Sequence, residues 1–409
     1  MSYVPNTLKD QAEMLQNIGA TSVASLFADV PEKVRLKADL PLPPPLSEPD
    51  LLAELKNVSE INRPASKFLG GGSCDHFIPS AVKHIVSRSE FYTAYTPYQA
   101  EASQGTLQVI YEYQSLICAL TGMDVANASM YDGATALAEA ALLACRATGR
   151  SEVAISSAVH PGYREVLKTY ARGADLKVAD VPYDQKTGRT SSFAISSTSA
   201  CFILSQPNFF GCIEEVSGLA EKVHAAGALF IVTVDPISLG ILKPPGEYGA
   251  DVVVGEGQSL GIPRNFGGPG LGLFAVKKDL LRQIPGRLAG KTVDAQGRIG
   301  YTLTLQTREQ HIRRERAPSN ICSNEALCAL SACVYLSLMG RSGLRKVAEL
   351  CLQKSNYLKK KLGSIFSAPT FKEFVAKKGS AGLPLPALKG RLISVTELAA
   401  RSELDILAR

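Results

Sequence analysis

The sequence predicts an α/β protein whose large domain is a mainly parallel sheet covered by helices on both faces. Three observations predict it. Short apolar runs rich in Val and Ile recur from residue 152 to residue 277, as strands buried on both faces do. Helix-forming stretches lie between several of these runs, and strand–helix–strand repetition gives parallel pairing. The length of 409 residues exceeds what one core supports, so a second, smaller domain is expected.

Residues 1–70 read as a helical extension. TLKDQAEMLQNIG has helical spacing at Leu8, Met14 and Leu15 and closes at Gly19, and ATSVASLFADV reads as a second short helix. PLPPP at 41–45 is a stiff linker that neither a helix nor a central strand can cross. SEPDLLAELKNVSEIN then begins with Ser47 as N-cap, Pro49 in the first turn and acids at the positive helix end.

Residues 71–308 form the large domain. A helix is predicted over TLQVIYEYQSLICALTGM, with Ile110, Tyr113, Ile117 and Leu120 on one face and Gly122 as its stop. The predicted strands are EVAISSAV, DLKVADV, CFILSQP, LFIVTVD, DVVVGEG and GLFAVK. The helices between them are ATALAEAALLACRATG, GYREVLKTYARG and EVSGLAEKVHAAG. Residues 309–409 read as a small C-terminal α+β domain. It has two helices (NEALCALSACVYLSLMG and GLRKVAELCLQKSNYLKKKLG), a strand (RLISVTE) and a last helix over ELAARSELDILAR.

Composition narrows the function. A net charge of +6, with no dense Lys/Arg block apart from His311 to Arg316, argues against nucleic acid, although it suits an anionic substrate or an acidic partner. Nine scattered cysteines, odd in number and with no C-x-x-C pair, argue against disulfides and zinc and for reduced thiols in a cytoplasmic setting; no metal site is expected. The N-terminus has no signal-peptide pattern, and no apolar run approaches the ~20 residues of a membrane span.

Several segments carry possible chemistry. YDGATALAEA puts Gly133 and Thr135 at the start of an Ala-rich helix, where backbone N–H groups and the dipole favour a phosphate, or where an ordinary cap would sit. Asp235 ends an apolar strand, the place where open α/β sheets hold ligands; a carboxylate there can pair with a pyridinium nitrogen or cap the following turn. His160, ahead of Pro161-Gly162, can stack on a ring or bond locally. The turn Asn265-Phe266-Gly267-Gly268-Pro269-Gly270 demands a tight backbone and reads as a ligand or chain contact, or as a hairpin. Tyr95, Tyr98, Gln99 and Gln104 offer polar tips with little charge around them, which suits an interface or a ligand wall, or a buried polar turn. Thr307 to Arg314 clusters donors suited to an anion, or to a helix held by surface ion pairs.

These landmarks are those of an aminotransferase-like pyridoxal phosphate fold. The elbow after DVVVGEG, where a Schiff-base lysine would stand, carries Gln258 instead, and an amide cannot form that bond. The strings FLGGGSCDHFIP, YTPYQAEASQGTLQ, NASMYDGATALAEA, NFGGPGLGLFAVK, GRLAGKTVDAQGR and LQTREQHIRRERAPSNICSNEAL resemble glycine dehydrogenase (decarboxylating), the P-protein of the glycine cleavage system. Within that family they resemble the subunit 1 branch of the two-subunit bacterial form. The resemblance runs from Pro5 to about Leu362 and resumes weakly at VTELAARSELDIL; the tail after Ser367 is short for the family.

The resemblance implies a fold-type-I pyridoxal phosphate architecture. It implies a heteromeric pair in which glycine is decarboxylated and its aminomethyl group passes to the lipoyl arm of the H-protein. Aligning the shared Ile262-Pro263 puts Gln258 at the lysine position, so the cofactor is expected on subunit 2. Gly133, Thr135, His160 and Asp235 would then be vestiges of a pocket. Tyr95, Tyr98, Gln99, Gln104, Gly267, Gly268 and Gly270 would contribute to the interface with subunit 2. Two rival readings stand: a self-sufficient cofactor enzyme using Lys277 or Lys291, and a non-catalytic scaffold or regulator.

Overall fold

The computed structural model describes residues 5–38, 40–62, 68–191, 195–265 and 267–408. The chain divides into two compact units, Met1–Pro64 and Ala65–Arg409.

The first unit holds α1 (Leu8–Asn17), capped reciprocally by Thr7 and Asp10, and α2 (Glu48–Ile61), capped by Ser47. ATSVASLFADV does not form the expected helix. It makes a single 3₁₀ turn at Val23–Phe27, because Ser22 and Ser25 bond each other's backbone and compete with helical pairing. No side chain of these helices is buried.

The second unit begins its helices with α3 (Ser80–Val86), α4 (Ser89–Tyr92) and α5 (Gln104–Thr121). Leu107, Ile110, Tyr113 and Ile117 of α5 are buried, as the spacing requires, whereas Leu120 stays partly exposed. The main sheet comprises β1 (Val125–Ala126), β2 (Glu152–Ser156), β3 (Lys177–Val181), β4 (Ser199–Gln206), β5 (Leu229–Val234), β6 (Val252–Glu256) and β7 (Gly272–Val276). Its order is β1-β7-β6-β5-β4-β2-β3. The block from β3 to β6 is parallel, and β7 is antiparallel to both neighbours. The crossover helices are α6 (Gly133–Thr148), α7 (Pro161–Gly173) and α8 (Leu219–Ala225).

Alternate residues of each strand fill opposite faces. Phe202, Leu204, Phe230, Val232 and Val253 pack into one core; Ile203, Ile231, Val252 and Val254 join the alanine-rich face of α6 in the other. The apolar runs are continuous for this reason. A hairpin of β8 (Leu288–Val293) and β9 (Ile299–Thr304) was not expected from the sequence. Gly290, Lys291 and Thr292 mask the strand pattern, and half of β8 is exposed.

Beyond α9 (Gln310–Arg313), α10 (Ala326–Leu362) joins the two expected helices across a break at Gly340, with φ 56° and ψ −174°. Among the described residues it is the one helix long and apolar enough to cross a membrane, and half of that apolar stretch is buried inside the protein. The antiparallel sheet β10-β12-β11, formed by β10 (Glu373–Ala376), β11 (Leu383–Leu385) and β12 (Gly390–Ser394), and the short α11 (Arg401–Leu407) complete the unit. Gly211 seats this small sheet against the loop after β4. Its carbonyl accepts the Phe371 N–H at 3.0 Å, its φ is +79°, and a Cβ there would lie 1.9 Å from the Glu373 carbonyl oxygen.

Candidate active-site cleft

The carboxyl ends of β4, β5 and β6 open into one cleft, the location an open α/β sheet offers a ligand. Its walls come from the loop after β4, Asp235 after β5, the elbow after β6, the start of α7, the 70–74 segment and the strand entering β10. Its free volume is about 90 Å³, below the ~300–1,000 Å³ typical of ligand pockets.

Three of the residues singled out in the sequence meet here: His160, Asp235 and Gln258. His160 caps α7, accepting the Gly162 N–H at Nδ1 (3.0 Å), while its Nε2 bonds the Gly71 carbonyl at 2.8 Å. That hydrogen bond makes Nε2 the protonated nitrogen, and burial holds the ring pKa below its ordinary value. Gln258 is buried. Its amide oxygen accepts from Cys74 N–H (3.1 Å) and Ser73 Oγ (3.3 Å), and its amide nitrogen donates to the Ile262 carbonyl (2.7 Å). Gln258 therefore pins the elbow to the glycine-rich 70–74 segment.

Asp235 does both things the sequence allowed. Oδ1 accepts the Ile237 N–H at 3.1 Å, and Oδ2 pairs with a cation at 2.9 Å. The cation is Lys372, a buried lysine. Burial alone would push its ammonium down, but the Asp235 carboxylate overrides this and keeps the amine charged well above its ordinary range. Lys372 Nζ also reaches His76 Nε2 at 3.2 Å, and His76 Nδ1 bonds Glu397 at 2.8 Å. His76, Cys351 and Glu397 place potential ligand atoms within 4.8 Å of one another, but the Lys372 charge on the same imidazole opposes a metal cation there.

Gly133 and Thr135 stand at the start of α6 as expected, and the N–H groups of both are already taken by side chains. Asp132 caps the Thr135 N–H at 2.8 Å. The Glu256 carboxylate accepts the Gly133 N–H at 3.0 Å, the Leu271 N–H at 2.8 Å and the Gln258 N–H at 2.9 Å. Burial pushes Glu256 above the usual carboxylate range, and the three N–H donors oppose that shift. Gly133 is glycine because of close approach: a Cβ would sit 2.4 Å from the Tyr163 hydroxyl and 2.9 Å from the Glu256 nitrogen.

The remaining candidates lie elsewhere. Tyr95 is exposed and lines a separate groove with Phe91, Asn324 and Glu325. Tyr98 is half exposed; Arg287 donates to its hydroxyl at 3.2 Å and sits 5.5 Å from its ring centre. Gln99 is exposed. Gln104 is committed within the chain, its amide bonding both backbone groups of Tyr301 at 2.8 and 2.9 Å. Gly267 has open space around it and a Cβ on Gly268 would meet only the Gly270 nitrogen at 4.0 Å, whereas Gly270 packs against Asp132, 2.9 Å from a Cβ built on it; Phe266 lies outside the described residues. Arg308 makes no surface ion-pair helix. It is buried and donates to the Ile284 and Gly286 carbonyls. Of the two lysines considered from the sequence, Lys277 pairs with Asp251 at 2.5 Å and Lys291 points to solvent on β8; neither lines the cleft.

The residues present do not fit pyridoxal phosphate. The elbow carries no amine, the carboxylate suited to a pyridinium holds Lys372, and the helix terminus suited to a phosphate holds Glu256. The sequence signal for Lys372 was weak: FKEFVA carries a Lys–Glu pair between phenylalanines, which a strand edge explains as readily.

Comparison with known proteins gives the relationship. Residues 1–393 match the family described as glycine cleavage system P-protein. The chain is 51% identical to "Probable glycine dehydrogenase (decarboxylating) subunit 1" of Desulforamulus reducens, covering 100% of this chain and 98% of that protein. It is also 51% identical to the protein of the same description from Moorella thermoacetica, with the same coverage. A crystal structure of glycine decarboxylase (P-protein) in inhibitor-bound form superposes with a TM-score of 0.93 at 44% identity, covering 100% of this chain and 98% of that one. Sphingosine-1-phosphate lyase of Burkholderia pseudomallei, at 13% identity and a TM-score of 0.62, shares the fold. The chain has the fold-type-I architecture and belongs to the glycine cleavage system P-protein family.

Proposed function

We propose that this chain is the subunit of a heteromeric glycine decarboxylase that does not carry the cofactor. It acts with a second subunit that holds pyridoxal phosphate covalently. Together they decarboxylate glycine in the cytoplasm and pass the aminomethyl group to the lipoyl arm of the H-protein. The cofactor's electron sink serves the bond cleavage, and it belongs to the partner. The observation that carries this reading is Gln258, an amide bonded at both ends at the position where the resemblance places a Schiff-base lysine in the cofactor-bearing subunit. Full-length similarity to relatives described as subunit 1 supports it.

In this reading the Tyr95–Tyr98 surface faces the partner. Tyr95 is 82% exposed, Tyr92 65% and Phe77 62%, an unusual set of large apolar side chains to leave in water. The domain reading follows the same division of labour: 1–70 as an extension, 71–308 as the large domain and 309–409 as a shortened small domain.

The test is to mix this chain with its candidate partner and assay glycine–bicarbonate exchange. Exchange that requires both chains, with the cofactor on the partner alone, is the expected result. Full exchange by the partner alone would leave this chain a scaffold.

A further inference from the structure

A fold built around a cofactor leaves three unmet demands when the cofactor is absent. They are a carboxylate after β5 without its cation, helix-terminal N–H groups without their anion, and an elbow without its amine. In this chain each demand is met by a side chain. Lys372 Nζ is 2.9 Å from Asp235 Oδ2. Glu256 Oε2 is 3.0 Å from the Gly133 nitrogen, and its other oxygen takes two further N–H groups. Gln258 fills the elbow and is bonded at both ends.

We infer that the cleft excludes pyridoxal phosphate actively: Glu256, Lys372 and Gln258 stand in for its phosphate, its pyridinium and its linking lysine. The charge logic requires this combination. A phosphate brought to Gly133 would meet the Glu256 carboxylate as a like charge on the same N–H. A pyridinium brought to Asp235 would meet the Lys372 ammonium. Neither residue can simply step aside, because each is held by bonds from separate elements. Lys372 stands just ahead of β10, its carbonyl accepting the Val395 N–H and its amine reaching His76; Glu256 ends β6 and is held by N–H groups of the elbow, the β6–β7 connection and α6. Loss of the lysine is therefore not what empties the site, and restoring a lysine at 258 does not refill it. This inference is independent of the heteromeric reading, since it concerns the isolated chain.

The test compares the full chain in four forms: unchanged, Gln258→Lys, Lys372→Met with Glu256→Ala, and all three substitutions together. Each is incubated with pyridoxal 5′-phosphate, reduced with borohydride and mapped for phosphopyridoxyl-lysine. Binding of pyridoxine 5′-phosphate, which forms no covalent bond, is measured alongside by calorimetry. The unchanged chain and Gln258→Lys should carry no label in the cleft. The triple variant should be labelled at residue 258. The double variant should bind pyridoxine 5′-phosphate at least about tenfold more tightly than the unchanged chain, a difference of about 1.4 kcal/mol.

Label at residue 258 in the single Gln258→Lys variant overturns the inference. Label at Lys372 in the unchanged chain does so as well, because the cleft would then admit the cofactor. A folded triple variant that takes no cofactor also overturns it. Should the multiple variants not fold, the unchanged chain and Gln258→Lys still decide between exclusion and admission.

Discussion

Replacing Lys372 with Met should destabilise the large unit. The side chains of Lys372 and Asp235 are 8% and 21% exposed, so Lys372→Met leaves a mostly buried carboxylate without its counter-charge. Removing one partner of a buried pair costs about 3–5 kcal/mol. Asp235 keeps the Ile237 N–H and some solvent, which places the loss at the lower end, about 3 kcal/mol. At roughly 2 °C per kcal/mol for a chain of this size, the melting temperature should fall by about 6 °C. The assay is thermal and urea unfolding of four proteins: unchanged, Lys372→Met, Asp235→Asn and the double variant. The double variant leaves no unpaired charge, so it should recover much of the loss, with a coupling of about 1.5 kcal/mol or more. A Lys372→Met loss under about 0.5 kcal/mol, the level of an ordinary surface change, would refute the reasoning; so would strict additivity.

Other expectations follow from the same geometry. Glu256→Ala strips the acceptor from three N–H groups and should cost on the order of 2 kcal/mol, read by urea unfolding; an unchanged midpoint contradicts its placement. Burial pushes the Glu373 carboxyl up to about 7 despite the Lys372 ammonium beside it. The folded state thus holds a proton that the unfolded state releases near 4.5, and stability should decline as pH rises between about 4.5 and 7. Glu373→Gln keeps an oxygen for the Gly71 N–H and should flatten that decline; parallel pH profiles for both proteins would argue otherwise. Tyr95→Ala should leave the melting temperature unchanged while weakening exchange in the mixed complex. Gln104→Ala should lower stability by about 1 kcal/mol as it loses its bonds to Tyr301, so any activity loss there reports folding. Gly211→Ala, forced against the Glu373 carbonyl, should loosen the small sheet and bring hydrogen-exchange protection of 372–376 down; unaltered protection speaks against the seating role.

The sequence by itself determined the strands of the main sheet and the elbow without a lysine. The inner strands are buried on both faces and therefore nearly all apolar, so their runs were legible one by one, whereas β3, an edge strand with Lys177 and Asp180, was legible by its Val residues and its place in the repeat; Gln258 was visible because no environment turns an amide into an amine. The N-cap at Ser47 was equally local, set by a side chain three residues from the N–H it accepts. The β8–β9 hairpin escaped because its outer residues are polar and exposed, leaving no alternation to read. Gln104 read as an interface residue because its partner, Tyr301, lies 197 residues away in the chain. Only the tertiary structure decided what occupies the cleft. Lys372 and Asp235 are 137 residues apart, and Glu256 and Gly133 are 123 apart. A charge's partner is chosen by distance in space, and that choice is made when the small sheet closes over the ends of β4, β5 and β6.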